Sequence, residues 1–98
     1  MKITETKNGS ALTVALEGRL DTMTAPELEE ALNAALTDVT ELTFDLEKLE
    51  YISSAGLRVL LSAQKTMNRQ GSMKVQHPNE IISEIFEVTG FSDILTIE

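Results

Sequence analysis

Tyr51-Ile52-Ser53-Ser54-Ala55-Gly56-Leu57, YISSAGL, stands between an apolar, strand-like run and a helical one. Upstream, Leu42, Phe44 and Leu46 alternate with Thr43, Asp45 and Glu47, the period of a strand with one buried face. Downstream, Leu57, Leu60, Leu61 and Met67 recur at helical spacing, with Val59 and Ala63 widening the stripe. Gly71 is placed to end that helix as a C′ residue. The stretch is therefore a strand-to-helix junction, the unit from which parallel sheets are built. Two hydroxyls and a glycine at such a junction can be a helix cap, a nucleophile or a modification site.

On the N-terminal side, Asn8-Gly9 predicts a hairpin between strands near Lys2–Lys7 and Ser10–Glu17, since both residues tolerate positive φ. Leu12, Val14 and Leu16 give the second strand its apolar face. Gly18 and Asp21 mark a loop. Thr24 and Glu27 have the spacing of a capping box, Pro26 falls in a first helical turn, and Leu28, Ala31, Leu32, Ala35 and Leu36 share a face, which predicts a helix over about Ala25–Leu36. On the C-terminal side, Met73–Gln76 reads as a short strand and Pro78-Asn79 opens a third helix. Its apolar positions are Ile81, Ile82, Ile85 and Phe86, and Gly90 stops it. Ile94–Ile97 is a last short strand or a terminal helical piece. The pattern predicts a single α/β domain over residues 1–98, a small mixed β-sheet with helices packed against it.

Composition narrows the function. Sixteen acids against eight bases leave a net charge of −8, which disfavours nucleic acid and anionic membrane surfaces as partners. With no cysteine and one histidine, disulfides and thiolate metal sites are excluded. Asp21, Asp45 and Glu47 near strand ends read as a solvated acidic rim rather than a metal site. The opening residues MKITETKNGS carry no apolar run, so a cytoplasmic protein without a signal peptide is expected.

A serine at the start of a helix is a good N-cap. A nucleophile elbow would need Gly-x-Ser-x-Gly, yet the residue two before Ser54 is Ile52, and His77 precedes a proline in a loop. No phosphate-cradling glycine loop occurs, so no nucleotide cofactor is expected. A modification site fits better, because the N–H groups and dipole of a helix N-terminus favour a phosphate there.

Four stretches in order resemble a STAS domain of the anti-sigma factor antagonist type: GRLDTMTAPELEEAL (18–32), LTFDLEKLEYI (42–52), SSAGLRVLL (53–61) and EVTGFSDILTI (87–97). The family's site reads Asp-Ser-Ser/Thr-Gly-Leu. Aligned on Gly56-Leu57, its phosphorylated serine falls on Ser54, its acid on Ser53 and its second hydroxyl on Ala55. Ser53 is then an alternative acceptor. The resemblance implies a non-enzymatic switch without cofactor or metal, a monomer in the simplest case. It implies binding to an anti-sigma factor serine kinase, release on phosphorylation of Ser54, and resetting by a metal-dependent serine phosphatase. Asp21, Thr22, Met23, Ser53, Ala55, Gly56 and Arg58 are the expected partner-binding residues. The alternatives are a STAS docking module of a transporter or lipid-transport assembly, not switched by phosphorylation, and a minimal hydrolase using Ser54 and His77.

Overall fold

The computed structural model describes all of residues 1–98. Its elements are β1 (Lys2–Asn8), β2 (Ala11–Leu20), α1 (Ala25–Ala35), β3 (Glu41–Ile52), α2 (Ser54–Gln70), β4 (Ser72–Gln76) and α3 (Glu80–Val88), with a 3-10 turn at Phe91–Asp93. The sheet order is β1-β2-β3-β4; β1 pairs antiparallel with β2, and the remaining pairs are parallel. Beyond β4, Ile97 forms a single parallel bridge to Val75, so Ile94–Ile97 ends as a minimal edge strand.

The hairpin forms one position later than Asn8-Gly9 suggests. Asn8 pairs with Ala11, so Gly9 and Ser10 are the central turn residues. Only Gly9, at φ +64°, enters the left-handed region, the arrangement of a type II′ turn.

Each step from β2 through α1, α2 and α3 moves one strand in the same direction across the sheet. Right-handed connections then lay all three helices on one face. The burial pattern agrees: Leu12, Val14 and Leu16, Leu42, Phe44 and Leu46, and Met73 and Val75 all turn into one core of 24 buried residues. Thr13, Thr43 and Lys74 sit on the opposite face and are not buried.

One strand outruns the sequence reading, β2 to Leu20, while β3 runs to Ile52, up to the expected junction at Ser53-Ser54. Twelve residues of β3 run beside ten of β2, and the register slips between Ala15/Glu17 and again between Gly18/Arg19. Each slip inserts one extra residue in β3, a β-bulge. The first lets Leu46 and Leu49 both face the core across exposed Glu47 and Lys48, which a strict alternation forbids.

The predicted stripes are not uniformly buried: Ala31, Ala35 and Ile85 are half-buried. Leu61 is half-buried rather than core, and Ile81 is 57% exposed. Gly71 ends α2, as the C-cap rather than the expected C′ residue, its N–H donating to the Met67 carbonyl at 2.7 Å. Proximity also requires glycine there, because a Cβ would collide with the Thr40 carbonyl.

Candidate functional site

The C-terminal ends of β2 and β3 lie side by side, Leu20 paired with Ile52. Just past them, the Ser53 N–H donates to the Leu20 carbonyl at 2.9 Å, tying the start of α2 to the β2–α1 loop. The two halves of the predicted site thus meet.

The loop is fixed by Asp21. Its Oδ1 accepts from the N–H groups of Met23 at 3.0 Å and Thr24 at 3.2 Å. The predicted capping box at Thr24 does not form. The Thr24 hydroxyl turns back instead, accepting from the Asp21 N–H and donating to the Arg19 carbonyl, both at 2.9 Å. The N-cap of α1 is Thr24, without a side-chain cap bond, and the Asp21 carboxylate instead satisfies the amides of the turn that leads into the helix. Partial burial disfavours a charged Asp21, but the two N–H groups, the Thr24 hydroxyl and the Arg19 guanidinium outweigh it and hold the carboxyl below its ordinary value. Arg19 reaches Asp21 Oδ2 at 3.7 Å and lies 4.6 Å over the Tyr51 ring, a cation–π contact joining β2 to β3. The sequence reading passed over both residues, which become partners only through the parallel register Arg19↔Tyr51.

At the head of α2, Ser53 has the extended backbone of an N-cap, φ −100° and ψ 176°, yet its side chain makes no cap bond. Its Oγ is buried without a hydrogen-bond partner. Ser54 is the first helical residue and is exposed. Gly56, expected among the partner-binding residues, is buried. A Cβ there would stand 2.6 Å from Leu20 Cγ and 2.9 Å from Ile52 Cγ1. The residue is a spacer that lets α2 close onto the strand ends.

Thr22, Ala55 and Arg58 line one groove of about 380 Å3 between α1 and α2. Pro26, read from the sequence only as a first-turn residue, joins them, as do Glu29 and Ser62, which the sequence reading did not single out. Glu29 and Arg58 give the groove both signs of charge. Met23 lies outside it, 86% exposed at the loop tip.

His77, the one histidine, does not approach Ser54. It follows β4 with φ +59°, and its Nδ1 stands 3.1 Å from Asp45 Oδ1. The sequence reading found no acid beside His77, and the strand register supplies one. Asp45 nevertheless lies seven residues before Ile52 in β3, roughly 20 Å along the strand from the head of α2. The Ser54–His77 hydrolase geometry is absent. Asp45 also accepts from the Glu47 N–H at 3.1 Å and so braces the first bulge.

The family described as "Mlab, STAS domain" matches residues 3–96. BtrV of Bordetella bronchiseptica is 37% identical over 99% of this chain and 85% of its own length. The anti-sigma-B factor antagonist of Bacillus subtilis is 30% identical over 93% of this chain and 84% of its own. Among solved structures, the unphosphorylated anti-sigma factor antagonist SpoIIAA superimposes with a TM-score of 0.86 at 16% identity, over 99% of this chain and 88% of that one. The chain belongs to the STAS-domain family of anti-sigma factor antagonists. The mixed four-stranded sheet with three helices is that family's fold. No helix is long and apolar enough to cross a membrane.

Proposed function

We propose that this chain is a phosphorylation-gated binding switch that docks an anti-sigma factor serine kinase through the head of α2 and the α1–α2 groove. In its unmodified form it occupies the kinase and frees a sigma factor. The kinase transfers a phosphoryl group to Ser54 Oγ, the complex dissociates, and a serine phosphatase resets the chain. The domain is substrate and partner, with no catalytic residue of its own.

One observation carries the reading: Ser54 presents an exposed hydroxyl at the first position of a 17-residue helix whose first turn receives no side-chain cap. Uncapped amides and the helix dipole accommodate a phosphate at that position, so modification leaves the fold intact and alters the surface. Burial of the Ser53 hydroxyl favours Ser54 as the acceptor over Ser53. In this reading Thr22, Met23, Ala55 and Arg58 are the contact residues, while Asp21 holds the loop in place.

The size of the switch follows from desolvation. An uncompensated charge buried in an interface costs about 3–5 kcal/mol, and each 1.4 kcal/mol is about tenfold in affinity. Phosphorylation then weakens binding by roughly two decades or more. The test is affinity capture from host lysate with ADP, comparing wild type with Ser54→Asp. An ATP-binding serine kinase retained by wild type alone supports the switch. A transporter subunit retained equally by both would make the chain a docking module.

A further inference from the structure

α3 carries an apolar stripe that the fold leaves uncovered. Ile82 and Phe86 are fully buried and hold the helix on the core. Ile81 and Val88 are 57% and 75% exposed. They lie seven residues apart, two turns or about 10.5 Å along one side of the helix. Half-buried Ile85 sits between them and links the stripe to the core. Ile94, 46% exposed, adds a further apolar side chain just past the helix.

Charge along α3 is one-sided. Glu80, Glu84 and Glu87 fall, at 100° per residue, on the flank of the stripe away from the buried face. Neither they nor Asp93 forms a salt bridge. Lys74 is the last lysine or arginine in the chain, so no cation of this segment balances them. A second copy of the chain would bring the same carboxylates against them, and an anionic bilayer would repel them. What complements an uncovered apolar stripe beside an acidic column is an apolar stripe beside a basic one.

We infer that α3 is a second docking surface, which takes a cationic amphipathic helix of another protein through Ile81 and Val88, with Glu80, Glu84 and Glu87 pairing its lysines or arginines. Side-by-side helices interleave ridges and grooves at this spacing, and helix-in-groove partners read anchors at such intervals. The surface shares no residue with the α1–α2 groove, so it holds its partner whether or not Ser54 is modified. Such a contact would keep a regulator tethered after the switch face has let go.

The test uses the full chain and a synthetic amphipathic peptide, with leucines at i, i+3 and i+7 and lysines along one flank. A scrambled peptide of equal composition is the control. Backbone amide shifts are expected to move over residues 80–95 and not in the α1–α2 groove. Affinity is expected to fall about tenfold or more in Ile81→Ser/Val88→Ser. In Glu84→Gln/Glu87→Gln the salt dependence of binding is expected to flatten. All four side chains are exposed, and unchanged thermal melting will establish that the variants fold. Equal binding of the scrambled peptide would overturn the inference, as would shifts mapping elsewhere or affinity indifferent to Ile81→Ser/Val88→Ser. Self-association through α3, or binding to anionic vesicles lost in that double variant, would overturn it in favour of another occupant.

Discussion

Gly56 and Leu20 approach so closely that a β-carbon on the glycine would lie 2.6 Å from Leu20 Cγ. Alanine at 56 gains helix propensity, about 1 kcal/mol, and meets a wall formed by Leu20 and Ile52. Overpacking of this kind costs typically about 1–3 kcal/mol. Gly56→Ala is therefore expected to be neutral to destabilising by about 2 kcal/mol, despite the better helix former. Urea unfolding measures it, and a rise in midpoint would contradict the packing argument.

The neighbouring serines should be told apart by different measurements. Ser53→Ala removes a buried hydroxyl that has no partner, so stability should hold or increase. An ordinary N-cap serine lost to alanine costs about 1 kcal/mol. A loss of that size at Ser53 would mean that its hydroxyl caps α2 in solution. Ser54→Ala should stay within about 0.5 kcal/mol of wild type, as exposed substitutions do, while abolishing phosphate incorporation by the kinase.

Asn79 performs two tasks from one side chain. Its Oδ1 accepts from the Ile82 N–H at 2.8 Å, capping α3, and its Nδ2 donates to the carbonyls of Leu49 at 3.1 Å and Glu50 at 3.3 Å. Asn79→Ala should cost about 1–2 kcal/mol. Asn79→Asp keeps the acceptor, loses the donor and should fall between the two. Hydrogen exchange over residues 80–88 gives a local reading, and protection equal to wild type in Asn79→Ala would count against the cap.

Acid sensitivity follows from three carboxylates with lowered pKa. His77 holds Asp45 down, Lys7 holds Asp38 down through contacts at 2.8 and 3.0 Å, and at Asp21 the backbone amides outweigh partial burial. Each folded pKa lies below the unfolded one. The stabilisation is therefore fully present above the ordinary carboxylate value of 3.8 and is lost as pH falls below it through the folded values. Asp45→Asn should flatten the acid limb of the stability curve and leave the neutral limb parallel to wild type. An unchanged acid limb would remove Asp45 from the set.

Much of this was legible in the sequence, and the failures have local causes. The helices, the junction at YISSAGL and the mixed sheet follow from periodicities of 3.6 and 2. The bulge at Glu47 and Lys48 was hidden, because it breaks the alternation that identifies a strand and puts Leu49 and Ile52 out of phase; the second half of β3 was legible only from the junction at Ser53-Ser54 and the match of LTFDLEKLEYI. The Thr24–Glu27 spacing suggested a cap that does not form, because the Thr24 hydroxyl is engaged by the Asp21 N–H and the Arg19 carbonyl of the preceding turn. Gly56 was placed among the contact residues by the resemblance, and the neighbours it makes room for, Leu20 and Ile52, are named only by the fold. Groove residues such as Glu29 and Ser62 face each other only after α1 and α2 pack, and Asp45 meets His77 only through the register of β3 and β4.

The order of strands across the sheet is the order of strands along the chain. No strand must be threaded between two that already exist, and every pairing joins the newest strand to the one made just before it. During synthesis the ribosome can therefore deliver a sheet that grows at one edge, with each helix closing over the strand it has just left. The two ends of the candidate site are both present once β3 and the first turns of α2 have emerged. The acidic helix α3 is the last helix made, so the nascent chain completes the proposed switch face before the proposed second docking surface exists.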